Sequence, residues 1–139
     1  MTNVRLYGAF GNAPVYGMDY LYAINGAKIG LSINLVNDER MHHSDRPVHY
    51  VACGTFTLMK HVPGSELLFE DGTHTKYFET ADEFFELADW YLRHDAEREK
   101  IAQAGMERAH REFRCERMAG HLMDLIEEGR IDAPWAEII

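Results

Sequence analysis

Two cysteines in 139 residues, Cys53 and Cys115, stand far apart and form no C-x-x-C pair. That scarcity argues against a disulfide scaffold and a cysteine zinc centre, so a reducing cytoplasm is the expected compartment. Long apolar runs are missing too, and no stretch approaches the ~18 residues that suggest a membrane span. The opening MTNVRLYGAF has no charged leader followed by an apolar core, so no secretion signal is expected. Basic charge is short: 14 Lys and Arg face 23 Asp and Glu, a formal net charge of −9. Such a balance argues against binding a nucleic acid polymer, which depends on clustered cations. A small nucleotide is not excluded, because one arginine and a few backbone N–H groups can hold a diphosphate. G-A-F-G-N is not the G-x-G-x-x-G fingerprint, and a redox dinucleotide is not expected.

What is present reads as one globular domain over 1–139, with residues 114–139 forming a C-terminal helix and tail. Hydrophobic residues at 46% and charged residues at 27% leave enough apolar surface for a continuous core. Val4–Tyr7 is the first candidate strand. A helix is predicted from about Asp19, as N-cap, to Asn25, with Tyr20, Ala23 and Ile24 on one face and Gly26 at its end. Ala27–Val36 reads as a strand from the alternation of Ile29, Leu31, Ile33 and Leu35. NDERMHHSD is a polar loop, with Ser44 or Asp45 as possible cap of a short helix that carries Pro47 in its first turn and stops at Gly54. TFTLMK is a short strand, PGSELLF one or two helical turns, Asp71-Gly72 a turn and TKYF another strand.

The last third is more regular. Thr80 and Glu83 form a capping-box pattern ahead of Phe84, Leu87, Ala88 and Tyr91, a helix to about His94. Asp95 opens a second helix with Ile101, Gly105, Ala109 and Phe113 on one stripe. A third carries Met118, Leu122, Leu125 and Ile126 and ends at Gly129. Pro134 and Trp135 fall in a non-helical tail expected to pack on the body.

Strands alternating with helices predict an α/β fold, a Rossmann-like three-layer sandwich with a mainly parallel sheet and C-terminal helices. Ligands of such sheets bind outside the carboxyl ends of the strands, which points to the loops at 37–46 and 59–66.

The order Arg46, Ala52-Cys53-Gly54, Pro63-Gly64 and Glu66 resembles the C-terminal half of GT-B group 1 glycosyltransferases, in particular the spore-maturation CgeB-like branch. The likeness runs from about Tyr7 to Leu125, through Y-G-x-x-G-N-A-P-V-Y-G, I-N-G-A-K-I-G-L-S-I-N, S-D-R-P-V-H-Y-V-A-C-G, F-E-D-G, Y-F-E-T-A-D-E-F and W-Y-L-R-H-D-A-E-R-E-K-I-A-Q-A-G. It implies a domain that holds the nucleotide half of a nucleotide-diphosphate sugar such as a UDP- or GDP-sugar. That donor is a substrate, and no further cofactor is implied. The resemblance places nucleotide-sugar contacts on Arg46, His49, Gly54, Gly64, Ser65 and Glu66. It implies an N-terminal GT-B domain or partner protein that supplies the acceptor side and commonly the catalytic base, so the catalytic residues are unknown. Two departures stand out. Many group 1 transferases carry a ribose-binding glutamate where this chain has His49, and its partner eight residues earlier falls on Met41. There is also room for only one of the two domains.

Plainer readings stand beside these. Arg46 also suits a surface ion pair with Asp45, Glu39 or Glu66, typically about 0–1 kcal/mol. Glu66 also suits the start of its helix through the dipole, and Gly64 a turn. His42, His43 and His49 lack the spacing of a metal set, so no metal is expected. Cys53 reads as a small buried residue. Two functions follow: a donor-binding domain inactive without its acceptor domain, or a non-catalytic module that kept the fold and lost the chemistry.

Overall fold

A computed structural model describes residues 4–133 and 135–136. In chain order the elements are helix α1 (Gly17–Asn25), strand β1 (Gly30–Ser32), helix α2 (Arg46–Ala52), strand β2 (Thr57–Lys60), a 3-10 turn (Ser65–Leu67), strand β3 (Lys76–Phe78), and helices α3 (Ala81–Arg93), α4 (Asp95–Glu112) and α5 (Cys115–Glu128). The strands lie in the order β1-β2-β3, all parallel, with Ser32 beside Met59 and Met59 beside Tyr77. This is the expected Rossmann-like α/β arrangement.

Successive side chains of a strand point to opposite faces, and the two core clusters follow that rule. Phe56, Leu58 and Phe78 pack with Tyr91 of α3 and with Ile101 and Ala102 of α4. Met59 and Tyr77 pack on the other face with Val51 of α2, Phe69 and Ala109 of α4. Helix α4 therefore serves both faces, its first half on one and its second half on the other. Between the halves, Gly105 meets the carbonyl of His74, in the segment that leads into β3. The amino ends of the strands are thus closed by α4, and the carboxyl ends are left to loops.

Several local expectations change. Val4–Tyr7 forms no strand, because none of the described residues pairs with it: Val4 and Leu6 are exposed, and the chain turns at Gly8, whose N–H bonds Ala13 O at 3.3 Å. The strand expected over 27–36 keeps only Gly30–Ser32. Asn34 N–H donates to Asn37 Oδ1 at 3.1 Å and Asn37 Nδ2 donates to Asn34 O at 2.8 Å, a side-chain turn that competes with the ladder. Tyr16 rather than Asp19 sits at the α1 cap, and neither Ser44 nor Asp45 caps α2 through its side chain. At α3, Thr80 Oγ1 accepts from Glu83 N–H at 3.2 Å as expected. The reciprocal bond reaches one residue further back, from Glu79 N–H to Glu83 Oε2 at 2.7 Å. Helix α5 ends at Gly129, yet its apolar stripe is exposed. Trp135 lies against Phe113 and His121, with ring centroids 6.2 and 5.4 Å away; Pro134 lies outside the described residues. No helix among the described residues is long and apolar enough to cross a membrane.

Candidate functional site

The loop after β1 is held from inside by one asparagine. Asn34 Nδ2 donates to His42 O at 3.2 Å, and Asn34 Oδ1 accepts from Ser44 N–H and Ser44 Oγ, both at 3.3 Å. Met41 N–H then donates to Pro63 O at 2.9 Å, which joins this loop to the one after β2. Gly64 makes the junction possible. Its φ of 86° is left-handed, and a Cβ there would stand 3.0 Å from Met41 Sδ and 3.1 Å from Arg40 Nη1. The two segments singled out in the sequence therefore meet at the carboxyl edge of the sheet.

A cavity of about 350 Å³ opens between the start of α2 and the 3-10 turn. Its floor is Met59, Leu68, Phe69 and Tyr77, with the buried Ser65 beside them; its rim includes His43, Asp45 and His49. An apolar floor with a few polar groups at the rim is the usual build of a small-molecule site. Tyr77 fixes the floor: its hydroxyl donates towards Phe69 O at 2.8 Å and Ser65 O at 2.9 Å, and burial holds the phenol proton well above the ordinary tyrosine range. Ser65 Oγ donates to Val62 O at 2.6 Å and braces the turn. His43 Nε2 is buried with no hydrogen-bond partner, and burial, then the neighbouring His42, keeps the ring below the usual histidine range.

A second cavity of about 420 Å³ lies beside Asn37, Asp38, Lys60, His61, Pro63 and Glu79. Here the end of β2 meets the end of β3. Lys60 Nζ donates to Glu79 Oε2 and to Glu79 O, both at 2.7 Å. His61 pairs through Nδ1 with Glu79 Oε1 at 2.7 Å and through Nε2 with Glu66. Burial opposes charge on His61, but the hydrogen bond and field of Glu66 and those of Glu79 outweigh it, and its pKa is raised. Glu79 is held low, first by its bond to Lys60. Glu66 is held low as well: burial opposes the shift, and backbone N–H groups and His61 overcome it.

A raised histidine gives stability that is full below the ordinary value of about 6.5 and is lost as pH climbs through the folded-state value. Thermal midpoints of the protein are therefore expected to fall from pH 6 to 8 more steeply than those of His61→Gln. Parallel curves would remove the clamp from the account.

Of the residues expected to bind a ligand, the structure brings five to this edge and separates one. Asp45 and Pro47, the neighbours of Arg46, line the first cavity, while the exposed Arg46 turns Nη1 to Ile33 O at 3.1 Å. His49 and Ser65 line the same cavity, and the Tyr20 hydroxyl lies 3.2 Å from His49 Nδ1. Gly64 sits in the loop junction, and Glu66 is engaged by His61. Gly54 lies just past the far end of α2, where a Cβ would meet Met106 Sδ at 3.1 Å, so its place is in helix packing. The Lys60–His61–Glu79 cluster was not singled out in the sequence. Its signal was the charged pair directly after TFTLM and the glutamate directly before the capping threonine.

Residues 2–124 match the model of a family described as glycosyl transferase-like. No match to a curated protein or to a solved structure accompanies it. The match spans most of the sequence, including both loops and every strand that builds the crevice, and the chain belongs to the glycosyl transferase-like family.

Proposed function

We propose that this chain is the donor-binding domain of a glycosyltransferase, taking the nucleotide half of a nucleotide-diphosphate sugar at the carboxyl edge of its sheet. The observation that carries the reading is the 350 Å³ cavity between the α2 start and the Ser65 turn, in a chain of this family. The apolar floor suits a base or sugar ring, and His43 and His49 offer polar contacts at the rim. Arg46 reaches the pyrophosphate by exchanging its bond to Ile33 O for charge-assisted bonds to phosphate oxygens. The order of the sequence motifs supports the CgeB-like branch as the finer reading.

Glycosyl transfer in this reading needs a second surface carrying the acceptor and the base, from an N-terminal domain or a partner protein. Ile33 and the fully exposed Leu35, on the loop that rims the crevice, support such a cover. This chain's own residues bind and orient the donor, and glycosyl transfer awaits the cover.

Calorimetry with a panel of UDP, GDP and their sugars tests the reading. One nucleotide is expected to bind, and Arg46→Ala is expected to raise its Kd about 10- to 100-fold, the range for losing charge-assisted bonds. No binding by any nucleotide, or an unchanged Kd in Arg46→Ala, overturns it. One observation favours a binding module without transfer chemistry: His49, at the position of the family's ribose glutamate, is already engaged by Tyr20. A nucleotide panel without response, together with an intact fold, would select that reading.

A further inference from the structure

The 3-10 turn beside the first cavity cannot satisfy all its own carbonyls. Gly64 O accepts from Leu67 N–H at 3.1 Å, and Ser65 O accepts from Leu68 and Phe69 N–H at 3.0 and 3.1 Å. The next three carbonyls turn to side chains, as the last carbonyls of a helical turn must. Phe69 O goes to the Tyr77 hydroxyl at 2.8 Å. Leu67 O and Leu68 O both go to Arg108 of α4, forty residues beyond Leu68: Nη2 donates to Leu67 O and Nε to Leu68 O, each at 3.3 Å. A guanidinium suits two adjacent acceptors, because Nε and Nη2 share one edge of a rigid plane. An ammonium has no such edge.

The guanidinium is held in its turn. Its third nitrogen, Nη1, lies 3.8 Å from Glu112 Oε1, one helical turn further along α4. Glu112 is buried, and Arg111 Nε at 2.9 Å and Arg117 Nε at 3.1 Å also bind its carboxylate. The Arg111 hydrogen bond, then the fields of Arg117 and Arg108, hold its pKa below the usual range against the effect of burial. The Arg108 side chain is 16% exposed, so water competes little for its bonds. Ser65, Leu68 and Phe69 line the cavity, and Arg108 stands behind them.

We propose that Arg108 is a positioning residue of the donor site: held by Glu112, it fixes the Leu67 and Leu68 carbonyls and so presets one wall of the 350 Å³ cavity. The inference rests on the donor-binding reading of that cavity. Without the guanidinium the wall leaves its place for part of the time, and ligand enters only the fraction with the wall formed. The loss therefore falls on association, whereas a lost ligand contact speeds dissociation.

Stopped-flow binding of the nucleotide found by calorimetry tests this, at a temperature where circular dichroism shows every variant folded. Arg108→Met keeps the aliphatic stem and removes the fork. It is expected to slow association about tenfold, the order for losing two hydrogen bonds, and to change dissociation by under about twofold. Arg108→Lys, able to hold one carbonyl, should recover part of the loss. Glu112→Gln should slow association about threefold in the native chain and no further in Arg108→Met, because it acts through that arginine. Hydrogen exchange gives a readout without ligand: the Leu67, Leu68 and Phe69 amides should exchange about tenfold faster in Arg108→Met, while those of β2 keep their rates. If Arg108 only supports the fold, exchange rises across the sheet and the folded variants bind at the native rate. Native association in Arg108→Met, a loss carried by faster dissociation, or unchanged exchange at those three amides overturns the inference and leaves the donor reading standing. A native chain that binds no nucleotide removes the donor reading, and the inference with it.

Discussion

Phe69→Ala is expected to remove about 3–5 kcal/mol of stability, the range for deleting a fully buried phenylalanine. Phe69 is 1% exposed and belongs to the cluster that joins Val51, Met59, Tyr77 and Ala109. Its ring meets Phe113 at 5.4 Å between centroids, and its carbonyl accepts from Tyr77 at 2.8 Å. The truncation opens a void beneath the 3-10 turn and removes a wall of the 350 Å³ cavity, so stability and the site decline together. Urea unfolding followed by fluorescence measures the loss. Phe69→Leu, which keeps most of the volume, should cost under about 1.5 kcal/mol. Equal midpoints for the two variants would show that the ring packs less tightly than the fold requires.

Gly105→Ala is expected to lower the melting temperature by about 5–10 °C, although alanine is the better helix former. A Cβ at this position would stand inside van der Waals contact with His74 O and 2.9 Å from Val51 Cγ1. The first obstacle is backbone, so relief requires α4 to move off the amino edge of the sheet. Overpacking of that kind costs about 3 kcal/mol or more, against roughly 1 kcal/mol gained in helix propensity. Gly120→Ala is the control. It lies in α5 with nothing within 4 Å of its added carbon, so only the propensity gain remains and the melting temperature should rise slightly. Differential scanning calorimetry of the two variants should give shifts of opposite sign. Two rises would mean that α4 does not press on the His74 carbonyl.

The legible parts of the fold are those in which chain neighbours decide. Helix α3 is marked by Thr80 and Glu83 ahead of a 3.6-residue stripe, and both capping side chains do bond backbone N–H groups. Pro47 and Gly54 bracket α2 for equally local reasons, a fixed φ near its start and a left-handed φ of 73° past its end. Strands were less legible, because a strand exists only where a neighbour pairs with it. Val4–Tyr7 has the composition of a strand and no partner among the described residues, while Leu35 continues an alternation that the Asn34–Asn37 turn has already ended. In α5 the pattern foretold the helix and left its surroundings open, since periodicity reports an apolar face without reporting what covers it.

The site divides along the same line. The positions of Arg46, Gly64 and Ser65 at strand-end loops followed from the order of elements, because parallel strands send their loops to one edge. That order alone determined the α/β class and the edge that carries the crevice. Tertiary structure alone decided the rest: that Met41 N–H meets Pro63 O, that His61 lies between Glu66 and Glu79, and that Gly54 packs against Met106 of α4. Those contacts join segments up to some fifty residues apart, and their distances depend on how the layers close over the sheet rather than on any local preference of the chain.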